Sequence, residues 1–350
     1  MPDPGLIAPR LLCEGGFVSE HWRLGFVERA VLEALDRLGA RPNSNVKCAR
    51  LVRDIAETNG ITPRYSYDAL CTLAAPWLLH IPLVESGTNL GSADDPPAPP
   101  SFTAAWLSAA GRMALAAERG EGPRVPLALI NGDLHHDGDR PPFSPRRVLD
   151  TMLALLDDPS LSDTEIAEGV GSPASPTACA VTCDTAALAK GEPTTLEWTA
   201  DIRREVRHQR SVVVISRLPL GIGPDAVIDV LAARVKAMNR HDPEWDPHHR
   251  GDWQFENPDH EEPSELPLAD VHNESFGRAA DSRNFRIACL LLPGTDITEC
   301  EAMIARTWGV RTERNVQLGA PLTALVRDLV DTDPTQQRAA LTELRASTPE

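Results

Sequence analysis

The sequence predicts an α+β protein, and three observations carry that reading. Apolar residues recur at helical spacing between residues 26 and 80, runs of strand and helix character alternate after residue 120, and SVVVIS at 211–216 is a β-branched strand. A chain of 350 residues with 42% hydrophobic and 24% charged content is long enough for two globular domains. The finer expectation is a winged-helix-like helical domain followed by an α/β domain.

Taken in order, residues 1–20 lack periodicity and read as an irregular lead-in. Val27, Val31, Leu35 and Leu38 mark an amphipathic helix from Phe26 to Leu38, stopped by Gly39. Ser44 is placed to cap a second helix carrying Val46, Ala49, Val52 and Ile55, closed near Gly60. A third, Tyr67 to His80, is more uniformly apolar, and Pro76 should kink it or end it early. A turn-rich segment follows, and three short helices before an extended turn sketch a helix-turn-helix with a wing. Thr103 then caps a helix to Glu118, Val125–Ile130 reads as a strand broken by Asn131-Gly132, and Pro145–Leu156 as a helix.

A Gly/Ser/Pro-rich loop runs to Pro176, with strands at 177–183, 194–201 and 211–216 and a helix from Asp225 to Met238. Residues 239–267 are acidic, Pro-punctuated and aperiodic, as in a surface insertion. A strand at Phe285–Leu292, helices at Ile297–Thr307 and Pro321–Asp331, and a polar tail over 336–350 complete the reading.

The net charge of −17 opposes binding to a polyanion. Lys47, Lys190 and Lys236 are the only lysines; the arginine bias, with abundant Ala and Pro, reflects GC-rich coding. No apolar run reaches the roughly 18 residues of a membrane helix, and the polar, Pro-rich N-terminus does not read as a signal peptide. Seven cysteines at unrelated spacings suit reduced thiols, so the expected location is the cytoplasm. Cys179 and Cys183 read as small core residues. His135, His136, Asp137 and Asp139, and His241, His248 and His249 with Asp242, Glu244 and Asp246, could ligate a metal, but their spacing matches no closed zinc motif and solvated loops explain them.

Several segments together resemble a known family. LGFVERAVLEALDRLGARP, VKCARLVRD, SYDALCTLAAPWLLHIPLVESGTNLGS, DPPAPPSFTAAWLS, DRPPFSPRRVLDTMLALLDDP, SPASPTACAV and RNFRIACLLLPGTD occur in the order of matching segments in the A subunit of bacterial type IIA topoisomerases, DNA gyrase and topoisomerase IV. The resemblance covers about residues 20–330 and reaches the N-terminal breakage-reunion region, without the long coiled coil and C-terminal gate. It implies a winged-helix-like domain over 21–125 and a tower-like α+β domain over 126–335. In the family an elbow presents a tyrosine that attacks a DNA phosphodiester, assisted by the preceding arginine. That chemistry needs a hydroxyl and a cation beside the developing oxyanion.

Here those positions hold Phe102 and Ser101. Phenylalanine has no oxygen, Ser101 has no evident base, and Tyr65 and Tyr67 are the only tyrosines. Of the family's basic DNA-facing residues, Arg29, Lys47 and Arg50 match, whereas Glu28 and Ala30 replace cations. Asn59-Gly60-Ile61-Thr62-Pro63 replaces a His-Pro-His-Gly-Asp motif, and no Ile matches the family's DNA-kinking wedge. The resemblance implies no cofactor on this chain, since the family's Mg²⁺ is held by the partner B subunit. Three readings stay open. They are an inactive paralogue that docks a topoisomerase subunit or a second copy, a non-cleaving DNA-binding protein of weak affinity, and a working subunit with a substitute nucleophile.

Overall fold

A computed structural model describes residues 24–41, 44–133, 139–207, 210–235, 266–275, 285–330 and 333–348. Its first three helices are α1 (Phe26–Arg37), α2 (Cys48–Asn59) and α3 (Pro63–Leu73). Glu28 closes the start of α1 by accepting the Gly25 N–H at 2.8 Å, and Ala30, Val31, Leu32, Ala34 and Leu35 form its buried face. Lys47, and not Ser44, is the N-cap of α2; Ser44 instead exchanges backbone hydrogen bonds with Arg41. Gly60 ends α2 at φ +70°, a conformation that suits a residue without a Cβ. Pro63 opens α3 at a position where its missing N–H costs nothing. That helix starts earlier than the sequence suggests and stops at Leu73, three residues before Pro76.

The next stretch departs from expectation. Ala104–Leu107 is not helical but is strand β3, the centre of a three-stranded antiparallel sheet between β1 (Val46–Lys47) and β2 (Val84–Glu85). Val46 pairs with Ala105, Lys47 with Ala104, and Val84 with Leu107. Ala104, Ala105 and Leu107 are all buried, so the strand lacks the alternation that would distinguish it from an Ala-rich helix. The helix proper, α4 (Ala109–Glu118), is capped by Ser108 and not Thr103; the Ser108 hydroxyl accepts the Gly111 N–H at 2.9 Å.

The strand expected over Val125–Ile130 is absent, and a short helix α5 (Leu127–Asn131) takes most of its place. Asn131 is buried, its amide donating to the Ile81 carbonyl at 2.9 Å and its oxygen accepting the Ile81 N–H at 3.0 Å. Helix α6 (Pro145–Asp157) agrees with the sequence, but the supposed loop after it contains α7 (Asp163–Val170), started by a Ser162/Glu165 capping box.

Strand β4 (Ala180–Thr182) and helix α8 (Thr185–Ala189) lead into β5 (Thr194–Thr199), β6 (Asp201–Arg207) and β7 (Arg210–Ser216). Helix α9 (Pro224–Ala232) precedes β8 (Leu268–Asn273) and β9 (Arg286–Leu291), and α10 (Ile297–Ala305) precedes β10 (Arg311–Val316). The chain then forms α11 (Leu322–Asp328) and α12 (Pro334–Ser347). The residues read as a polar tail are thus mostly the helix α12, which buries Gln337, Leu341 and Leu344 and packs on α6. Most of the 239–267 insertion lies outside the described residues; its end is placed, with buried Leu266 bridging Val235.

Two larger antiparallel sheets result, β10-β5-β4 and β6-β7-β9-β8. One core joins α1–α4 to α6, α7, β5, α11 and α12. A second core lies between the β6-β7-β9-β8 sheet and helices α9 and α10, built on Val213, Ile215, Ile287, Cys289, Val227 and Ile304. The architecture is mixed α/β with antiparallel sheets, compatible with the α+β class. No described helix is long and apolar enough to cross a membrane.

Candidate functional site

The elbow between β2 and β3 is built on a proline-rich turn. Pro99 to Phe102 closes through a Phe102 N–H to Pro99 carbonyl hydrogen bond of 2.9 Å, with Pro100 and Ser101 at the corner. Pro100 supplies the fixed φ that the first corner position favours. The turn sits on the start of α2. The Cys48 N–H donates to the Thr103 carbonyl at 3.0 Å and the Ala49 N–H to the Pro100 carbonyl at 2.9 Å. Two of the unpaired amides at that helix end are therefore taken by backbone carbonyls.

Tyr67 of α3 supports the elbow from beneath. Its hydroxyl is hydrogen-bonded to the Ala98 carbonyl and lies 3.0 Å from the Thr103 hydroxyl. Tyr67 is 7% exposed, and loss of hydration pushes its phenol up to about 12. Cys48 and Cys71 share this buried spot, and burial pushes both thiols up. None of these groups is an activated nucleophile, because activation requires the opposite shift.

What the elbow presents outward is Phe102, 72% exposed. Ser101 beside it is also exposed, and its hydroxyl has no hydrogen-bond partner among the described residues. Lys47 and Arg50 flank the turn, Lys47 through its pairing with Ala104 and Arg50 one residue after Ala49. Both are exposed and without an ion pair among the described residues, as is Arg53, one helical turn beyond Arg50. Arg53 is not among the basic residues picked out by the sequence, although its i, i+3 spacing from Arg50 places both on one helix face. Arg29 lies on α1, 3.8 Å from Glu118 and 3.9 Å from Glu33.

The other polar clusters offer less. Asp133 is occupied by Arg140, accepting from its side chain at 2.8 Å and its backbone at 2.7 Å. His135, His136, Asp137 and the histidines of 239–267 lie outside the described residues. Among the described residues no group of three or more His, Cys, Asp or Glu could hold a metal. Cys179 is a buried core residue with its thiol pushed up by burial, and Cys183 is half-buried.

No family model matches the chain. Curated relatives do. The chain is 27% identical over 238 residues to the A subunit of DNA topoisomerase 4 from Pseudomonas aeruginosa, covering 60% of this chain and 31% of that protein. It is 29% identical over 245 residues to the A subunit of DNA topoisomerase 4 from Synechocystis, covering 60% and 26%. It is 29% identical over 196 residues to the A subunit of DNA gyrase from Deinococcus deserti, covering 49% and 24%. The chain thus contains a region like the A subunit of type IIA topoisomerases, and spans under a third of these relatives' length.

Proposed function

We propose that this chain is a catalytically inactive paralogue of the gyrase/topoisomerase IV A subunit that acts as a regulatory or interaction protein. The observation that carries the reading is Phe102. The elbow keeps a pinned backbone yet presents a hydrocarbon ring where a DNA-cleaving relative needs a hydroxyl. Ser101 stands where the assisting arginine would be, and the nearby Tyr67 hydroxyl is buried and engaged. In this reading α1–α3 with the β1-β3-β2 sheet are the winged-helix-like part. The β6-β7-β9-β8 sheet with α9 and α10 belongs to the tower-like part. The partner is a gyrase or topoisomerase IV subunit or a second copy of this chain, and no cofactor is assigned to the chain itself.

The test is capture of the host's purified gyrase and topoisomerase IV subunits, together with light scattering. Binding of one subunit, or a homodimer, is expected; a monomer that captures none overturns the interaction reading. A nicked suicide DNA substrate incubated with the matching B subunit is expected to give no covalent protein–DNA adduct, and an adduct overturns inactivity.

A second reading, non-cleaving DNA binding, is favoured by the unpaired Lys47, Arg50 and Arg53 beside an exposed ring. Three cations on a chain of net charge −17 support only weak, salt-sensitive affinity. Mobility shift at low salt decides it: no retardation at micromolar protein removes this reading.

A further inference from the structure

We propose that Asp94 is a pH-sensitive latch, fastening the loop before the elbow to the first turn of α9 in acid and loosening it as its carboxyl ionises. The loop is internally tied. Ser92 donates its N–H to the Asp95 carbonyl at 3.0 Å and its hydroxyl to the Asp95 carboxylate at 3.1 Å, and its hydroxyl oxygen accepts the Asp95 N–H at 2.9 Å. Asp95 is therefore committed within the loop, and Asp94 reaches across the fold. Its Oδ1 accepts the Asp225 N–H at 3.0 Å, joining residues 131 apart in the chain. The contact is close. A Cβ on Gly223 would fall 2.0 Å from that oxygen and 2.8 Å from the Ala93 carbonyl. Ala93, with Trp77, packs against the second core. The same loop is tied to the elbow, since Asn89 accepts the Ala98 N–H at 3.2 Å with its carbonyl.

Among the described residues the charged groups that face Asp94 are all acidic: Asp95 from its own loop, and Asp225 and Asp229 from α9. The Asp225 carboxylate in turn accepts from Asn273 of β8 at 2.8 Å. Loss of hydration against α9 comes first and, together with these carboxylates, outweighs the Asp225 N–H, which favours the charged form, so that Asp94 is pushed up to about 6. Protonation leaves an oxygen to accept the Asp225 N–H and removes the repulsion. Because the docked carboxyl holds its proton more tightly than a released one, docking is strongest in acid and weakens as pH rises through 6. Between pH 5 and 7.5 this linkage favours opening by at most about tenfold, and solvent on the open side of Asp94 reduces that to several-fold.

This inference rests on contacts between the loop and α9, so its test involves no partner protein and no DNA. Hydrogen exchange of the purified chain, corrected for intrinsic rates, is followed in segments 92–98 and 224–232 at pH 5.0 and 7.5. Opening several-fold more frequent at pH 7.5 is expected, and Asp94→Asn, which keeps the acceptor oxygen, is expected to hold both segments closed at both pH values. Protection that falls with acid, or an Asp94→Asn protein that opens with pH as the parent does, overturns the latch. Carboxyl ¹³C titration of the unaltered chain is the second measurement: an Asp94 midpoint well above 5 supports the latch, and one near 4 overturns it.

Discussion

The Tyr67 hydroxyl lies 3.0 Å from the Thr103 hydroxyl, 36 residues further along, and joins α3 to the strand that leaves the elbow. It also donates to the Ala98 carbonyl, so one buried phenol holds both ends of the Pro-rich turn. Tyr67→Phe keeps the ring and removes both bonds, and is expected to destabilise the fold by about 1–2 kcal/mol in denaturant unfolding. The same phenol gives a signed pH dependence. Its folded value is raised to about 12 from an ordinary 10, so its contribution is complete below pH 10 and is lost as pH rises from 10 to 12. Ultraviolet titration at pH 11 should show Tyr67 still protonated. Tyr67→Phe should therefore leave the phenolate absorbance at that pH unchanged.

Phe102 makes the opposite prediction. A ring 72% exposed contributes little to its own fold, so Phe102→Ala should change unfolding free energy by no more than about 0.5 kcal/mol. If the elbow is a docking surface, the same variant should weaken subunit capture tenfold or more, because an exposed aromatic ring on a hydrogen-bonded turn is a suitable binding anchor. Arg50→Glu with Arg53→Glu should weaken capture as well and leave the melting temperature within a few degrees. Unchanged capture in both variants would place the docking surface elsewhere. Phe102→Tyr restores a hydroxyl but not the arginine, and is expected to give no covalent DNA adduct.

Helices α1, α2 and α6 and strand β7 are legible in the sequence because one face is apolar, or because β-branched residues run together. Strand β3 is not, since it is buried without alternation. Strands β6 and β10 escape for the reverse reason: DIRREVR and RTERNV are edge strands whose polar residues face water and mask any period. Helix α12 is hidden because its buried stripe is narrow, Gln337, Leu341 and Leu344. At the site, the proline-rich run at 96–100 is enough to place a turn before Phe102. The role of Tyr67 beneath it is invisible at that level, because it depends on a tertiary contact between α3 and a loop 31 residues away.

Asn131 ties the chain before β2 to α5 by pairing with both polar groups of the Ile81 backbone, and it is only 6% exposed. Asn131→Leu fills a similar volume but leaves a buried N–H and a buried carbonyl without partners. Each orphaned group costs about 1–3 kcal/mol, so a loss of roughly 2–5 kcal/mol is expected in urea unfolding. Asn131→Asp keeps an acceptor for the Ile81 N–H and should lose less at acidic pH, where a protonated carboxyl can also donate, than at pH 8.

Gly111 tests a competition between helix propensity and packing. It sits in the first turn of α4, where alanine would ordinarily favour the helix by up to about 1 kcal/mol. A Cβ at this position, however, would lie 2.1 Å from the Leu83 carbonyl oxygen and 3.0 Å from its carbon. That oxygen already accepts the Ser108 N–H at 3.1 Å, so Leu83 cannot retreat without breaking the bond that seats the helix on the chain before β2. The steric term wins, and Gly111→Ala should destabilise by a net of about 2–4 kcal/mol. Gly39 is the control: its φ is +69° but nothing lies within 4 Å of an added Cβ, so Gly39→Ala should cost only the backbone term of about 1–2 kcal/mol. A Gly111→Ala protein as stable as the parent would show that α4 slides freely on Leu83, and would remove the close approach as the reason for glycine there.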